Sequence, residues 1–146
     1  MKFNRWLPWA FLLASLAGFV DSSYLAIKHY TGVPPSCTIL AGCEVVTGSQ
    51  YAVMFGVSVA LLGALYYLSI FLFSVYYLDS RRSEVLGWIS HLTWIGFAAS
   101  LYFVYLQLFV IGSICLYCMG SAVTSVTLFV LGRIYIWNSK QAVQEK

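Results

Sequence analysis

The sequence predicts an all-α integral membrane protein, a four-transmembrane-helix bundle with both termini cytoplasmic and a long outer loop between helices 1 and 2. Three observations carry this. Of 146 residues, 61% are hydrophobic and only 9% charged, against roughly 45 to 50% and 25% in soluble domains. Four apolar runs are each long enough to cross about 30 Å of hydrocarbon at about 1.5 Å per residue. Lys and Arg are sorted to one side of those runs.

The first run extends from Trp6 to about Ala26. A signal peptide is the competing reading, because Lys2 and Arg5 precede it and Ser15-Leu-Ala17 resembles a small-residue cleavage site. The apolar character continues past Ala17 through Phe19, Val20, Tyr24, Leu25 and Ile27, which suits a full span, and cleavage would leave the later topology unchanged. The connection from about Lys28 to Met54 is long, and its Pro34-Pro35, Gly32, Gly42 and Gly48 argue against one continuous helix. The second run is Phe55 to Leu78; the charged turn Asp79-Ser-Arg-Arg-Ser-Glu84 then joins antiparallel neighbours. The third run, Val85 to Ile111, meets the fourth, Ile114 to Trp137, at Gly112-Ser113. One such domain, residues 1–146, leaves no room for a second.

Positive residues are retained on the cytoplasmic face. An inward N-terminus gives that face Lys2, Arg5, Arg81, Arg82, Arg133, Lys140 and Lys146, and the opposite face Lys28 alone. Trp6, Trp9, Tyr76, Tyr77, Trp88, Tyr135 and Trp137 fall near the proposed inner ends, where amphipathic rings anchor well. The expected location is the cytoplasmic (inner) membrane, with the other face toward the periplasm or exterior. The net charge of +3 is scattered without a basic stripe, so no nucleic-acid partner is expected.

This topology places Cys37 and Cys43 in the outer loop and Cys115 and Cys118 at the outer end of the fourth helix. All four thiols then lie on the oxidising side, where disulfides persist. Two structural bridges would be one reading, giving a noncatalytic four-span protein whose stapled outer loop binds a partner. A bridge within Cys115-Leu-Tyr-Cys118 would constrain almost no chain entropy, so that pair is better explained by reactivity. Residues three apart share a helix face. Thiols in the first turn feel the positive end of the helix dipole, which favours the nucleophilic thiolate. A four-thiolate zinc site fits poorly, because the five residues between Cys37 and Cys43 exceed the usual ligand spacing.

Two thiol pairs at one interface suggest a relay by thiol–disulfide exchange. A reduced protein attacks the loop disulfide, the loop dithiol reduces the helix disulfide, and the helix dithiol discharges two electrons. The chain has no Gly-rich phosphate loop or Rossmann fingerprint for a nucleotide. A quinone, ubiquinone or menaquinone, dissolves in the bilayer and can enter a helix bundle from the side. The resting disulfide is left open among Cys37–Cys43, Cys43–Cys115 and Cys115–Cys118.

The arrangement resembles the vitamin K epoxide reductase family, specifically its prokaryotic disulfide-forming members. The resemblance covers most of the chain: the loop Cys pair, Cys43-Glu-Val-Val-Thr-Gly-Ser49-Gln-Tyr51, Phe55-Gly56-Val-Ser-Val-Ala-Leu-Leu-Gly63, and Cys115-Leu-Tyr-Cys118 opening the last helix. It implies a four-helix bundle around a quinone and a thioredoxin-like partner. It also implies that Cys37 exchanges with that partner, Cys43 attacks the helix disulfide at Cys115, and Cys118 lies against the quinone. Ser49 matches a Ser near the family's active site. Two departures stand out. Ser58 occupies the place where many bacterial members carry Pro, and Met119-Gly-Ser-Ala122 replaces the mammalian Ile-Thr-Thr-Tyr run. The second leaves vitamin K epoxide reduction itself in question. Some bacterial relatives fuse a thioredoxin domain after the last helix; here the chain ends soon after Trp137, so a separate thioredoxin-like oxidase is expected.

Polar groups within the spans are functional candidates because burying them is costly. Asp21, about 22 Å along the first helix from Trp6, is placed to tune a thiol or relay a proton, or else to pair locally with Lys28, Ser22 or Ser23. Gln107 lies near the outer end of the third helix, as a quinone hydrogen-bond donor or an interfacial residue facing water. His91 lies far from the cysteines and reads as a packing or interface residue. Tyr66, Tyr67, Phe97, Tyr102, Phe103 and Tyr117 are candidate pocket walls, of which one or two are expected to serve. Gly18, Gly63, Gly96 and Gly120 read as points of close helix approach.

Overall fold

The computed structural model describes residues 6–37 and 42–144. Lys2, Arg5 and Lys146 of the orientation count therefore lie outside the described residues. Helix α1 spans Leu7–Thr31, α2 Cys43–Thr47, α3 Val59–Ser80, α4 Ser83–Tyr105 and α5 Leu116–Gln144. A 3-10 turn at Gln50–Ala52 and a two-stranded hairpin, β1 (Val53–Met54) and β2 (Val57–Ser58), lie between α2 and α3. Among the described residues, four segments are long and apolar enough to cross a membrane: Leu7–Thr31, Val59–Ser80, Ser83–Ile111 and Leu116–Gln141. The chain is thus a multi-pass, four-helix membrane protein. Apolar residues such as Leu13, Val20, Leu72, Trp88 and Val123 are exposed on the outside of the bundle, as expected of helices whose outer faces meet lipid.

Two helix boundaries differ from the sequence reading. Helix α1 continues past Ala26 to Thr31 because its first breaker is Gly32, which caps it at φ 69° with its N–H directed to the His29 carbonyl. The apolar run at Phe55 does not begin a helix. Phe55 and Gly56 both have positive φ, 53° and 78°, and close a two-residue hairpin in which Met54 pairs with Val57. This is the geometry that matches the right-handed twist of paired strands. Phe55 projects from the tip, 97% exposed. Helix α3 starts only after buried Ser58, which holds the extended conformation at its N-cap.

The four long helices form a ring. Helix α1 packs on α3 and α5, and α4 packs on α5 and α3. Small residues allow this closeness, as in other membrane bundles. A Cβ at Gly18 would collide with the Tyr67 ring, one at Gly63 would press on Ser22, and one at Gly132 would press on Thr93. Gly120 departs from expectation and faces open space. The main apolar core, including Leu7, Phe11, Ile70, Leu86, Ile89 and Leu128, fills the end away from the cysteines. A second cluster forms at the other end around Cys43, Val46 and Cys115, with Cys37, Ile111, Tyr117 and Cys118 packed against it.

Candidate functional site

Two local devices bring the distant cysteine segments together. The first is the short helix α2, which begins at Cys43 itself. Val46 N–H donates to the Gly42 carbonyl at 3.0 Å, Thr47 Oγ1 donates to the Cys43 carbonyl at 2.7 Å, and Ser49 Oγ donates to the Val46 carbonyl at 2.7 Å. Gly42 lies against the backbone of Ile114, where a Cβ would sit 2.5 Å from the Ile114 carbonyl oxygen. Only glycine permits that approach, and it seats Cys43 beside the start of α5.

The second device is the end of α4. The helix widens into a π segment at Leu106–Ile111, capped by Gly112 at φ 66°. Such widenings often mark functional sites. Gln107 organises the turn that follows. Its backbone carbonyl accepts from Gly112 N–H and from Ser113 N–H at 3.1 Å, and its side-chain Oε1 accepts from Cys115 N–H at 2.9 Å. Gln107 is 2% exposed, so it is not an interfacial residue facing water. The Cys115 carbonyl accepts from Met119 N–H at 3.0 Å, which places Cys115 at the cap of α5 and Cys118 in its first turn.

Cys37 and Cys43 form a disulfide with a Cα–Cα distance of 6.1 Å, whereas Cys115 and Cys118 are free thiols. Cys43 and Cys115 are both 0% exposed, while Cys37 and Cys118 are only half-buried. The inner members of the two pairs thus share one dry cluster, and the outer members keep access to their surroundings. The Cys118 thiol, hydrogen-bonded to Cys115, draws the Cys115 pKa from 9.0 down to about 7. The N–H groups of Tyr117 and Cys118 help, and burial and the Asp21 charge oppose.

Asp21 lies within electrostatic reach of Cys115, Tyr117 and Cys118. The sequence alternative of a local pair with Lys28 is not what forms: the Lys28 ammonium lies 5.6 Å from the centre of the Tyr24 ring, and Asp21 Oδ2 is buried without a hydrogen-bond partner. Tyr24 in turn packs on Tyr117, ring centres 5.0 Å apart, fixing α1 against the first turn of α5.

Cys118 opens onto an apolar cavity of about 560 Å³ between the helices, which Ser49 and Gln107 also line. Tyr66, Tyr67, Tyr102 and Phe103 contribute to its wall, more of the candidate aromatics than expected. Phe97 instead stacks on Phe129 at 4.3 Å, and His91 is exposed on α4. A cavity of this size and apolarity, walled by a thiol and rings, suits a flat hydrophobic molecule arriving from the bilayer. Sequence reasoning passed over Gly42 as mere loop punctuation and did not single out Ser125. The signal for Ser125 was its spacing, seven residues after Cys118 on one helix face.

Four membrane-crossing helices that press a loop disulfide and a helical dithiol into one cluster define a membrane thiol oxidoreductase. The fit extends to sequence: the model of the vitamin K epoxide reductase family matches residues 9–132, and the chain belongs to that family. No curated protein matches the chain.

Proposed function

We propose that this protein is a thiol:quinone oxidoreductase that reoxidises a separate thioredoxin-like protein and so drives disulfide formation in exported proteins. The observation that carries the reading is the common burial of Cys43 and Cys115 in one cluster against which the half-buried Cys37 and Cys118 pack, Cys118 also lining the cavity. The bias of Lys and Arg, with Lys28 alone on the cysteine side, supports a periplasmic or exterior site in the cytoplasmic membrane, cytoplasmic termini, and a single redox domain over residues 1–146.

A partner thiolate attacks Cys37, breaking the Cys37–Cys43 bond and releasing Cys43 as thiolate. The second partner thiol displaces Cys37, so the partner leaves oxidised and the loop pair carries two electrons and two protons. When the helix pair is a disulfide, Cys43 attacks Cys115 and frees Cys118. Cys37 then closes on Cys43, and Cys115 leaves. The loop disulfide is restored and the helix pair is reduced, the oxidation state described above. A low pKa at Cys115 makes it a good leaving group in that exchange.

Bound in the cavity, a ubiquinone or menaquinone would accept the two electrons and two protons. The residues that would hold it are Cys118 at the reacting end, with Ser49 and Gln107 on the wall; Asp21, within electrostatic reach of Cys115 and Cys118, is the carboxylate that would relay a proton. Gln107 holds Cys115 in place by accepting from its backbone N–H. The test is oxidation of a reduced thioredoxin-like protein by the purified chain and a soluble menaquinone analogue. Turnover that is abolished by Cys115→Ala or Cys118→Ala, with the fold retained, supports the relay. Parent-rate turnover in all four single Cys→Ala variants sinks it.

A further inference from the structure

Deeper in the cavity, two adjacent hydroxyls have no hydrogen-bond partner beyond each other. Ser125 Oγ and Tyr66 OH are both buried with no hydrogen-bond partner elsewhere in the protein, lie within interaction distance of each other, both residues line the cavity, and Ser125 is 1% exposed. They come from α5 and α3 and converge over Gly96 of α4, where a Cβ would collide with the Tyr66 hydroxyl and lie 2.9 Å from Ser125 Oγ. The contrast with their neighbours is informative. Ser74 and Ser90 return their hydroxyls to the carbonyls of Ile70 and Leu86 at 2.7 and 2.8 Å, and Tyr67 OH donates to the Ser121 carbonyl at 2.7 Å. Two buried hydroxyls that have only each other leave hydrogen-bonding capacity unused, which is costly away from water, so a pair of them facing one cavity is a site prepared for an oxygen atom brought from outside.

Position along α5 says which oxygen. Ser125 follows Cys118 by seven residues, about 10.5 Å along the helix and on the same face. A thiol facing a ring carbon at one end, a quinone ring, and a hydrogen bond at the other end fill that length. Ala122, one turn beyond Cys118, brings no donor, so the polar contact falls one turn further in. We propose that Tyr66 and Ser125 form the inner hydrogen-bonding end of a quinone site, with Tyr66 O–H donating to the carbonyl oxygen distal to Cys118 and Ser125 O–H as the second donor. The ring of Tyr66 is held edge-on to Tyr67 at 5.1 Å, which fixes the donor before a ligand arrives. This inference rests on the quinone reading of the cavity.

The test is equilibrium binding to the purified, fully oxidised chain in detergent, read by quenching of intrinsic fluorescence. The probes are menadione and 2-methylnaphthalene, the same ring system without carbonyl oxygens. Tyr66→Phe with Ser125→Ala should weaken menadione binding roughly five- to tenfold, the loss expected for missing hydrogen bonds, and leave the hydrocarbon unchanged. Equal menadione binding by parent and variant overturns this inference alone, as does equal weakening of both probes, which reports a changed cavity shape. A parent that does not bind menadione overturns the quinone reading together with it.

Discussion

Gly42 rests on the backbone of Ile114 so closely that a methyl group there would lie 2.5 Å from the Ile114 carbonyl oxygen. Each is the residue immediately before a buried cysteine, so this one contact sets the register between Cys43 and Cys115. Gly42→Ala must move α2 outward. Thiol–disulfide exchange needs close alignment of sulfur atoms, and misplacement by about 1 Å can cost on the order of a hundredfold. Turnover is therefore expected to fall at least roughly tenfold, with circular dichroism showing the four-helix bundle intact.

Gln107→Leu removes the acceptor for Cys115 N–H and leaves a buried donor unpaired, at about 1–3 kcal/mol. The expected results are a lower thermal midpoint in detergent and slower electron transfer from the loop pair to the helix pair. Gln107→Glu retains an acceptor oxygen and should recover part of the exchange rate.

In protein with the loop disulfide formed and the helix pair reduced, the Cys115 thiol should ionise near pH 7, not near 9. Ultraviolet thiolate absorbance, taken as the difference from Cys115→Ser, reads this directly. Cys118→Ala should raise the midpoint, because the Cys118 hydrogen bond is the largest cause of the depression, and Asp21→Asn should lower it further by removing an opposing charge. The sign for stability follows from linkage. A depressed folded pKa contributes stability that is complete above the unfolded value of 9.0 and is lost as pH falls through about 7.

Gly18→Val would drive a branched side chain into the Tyr67 ring and disturb the hydroxyl that also meets Ser121 Oγ and Thr124 Oγ1 at 3.1 and 3.0 Å. Overpacking of this kind costs about 1–3 kcal/mol. Thermal unfolding of the reduced and oxidised protein should show the same loss in both, since the Gly18–Tyr67 contact includes no cysteine.

Much of the architecture was legible because membrane spans announce themselves by length and apolarity, and because Cys115 and Cys118 are separated by less than one helical turn. The region from Phe55 to Ser58 reads as the start of a helix yet forms a hairpin for a physical reason: in an apolar run, strand and helix cannot be told apart by composition, and the positive φ of Phe55 is rare for an aromatic residue. Gln107 showed its depth along the helix but not its bond to Cys115, which depends on a π segment that no residue pattern announces. Asp21 lies within electrostatic reach of Cys115 and Cys118. That its Oδ2 lies buried without a partner is a consequence of how α1 and α5 meet, which the chain order alone does not contain.

The most direct measurement is on the double variant Cys37→Ala, Cys118→Ala, which leaves only the two fully buried cysteines. Mild oxidation followed by a non-reducing gel and peptide mapping should yield an intramolecular Cys43–Cys115 disulfide in most of the protein. If both residues remain free thiols, or pair only between separate molecules, the proposed electron path between loop and helix is contradicted.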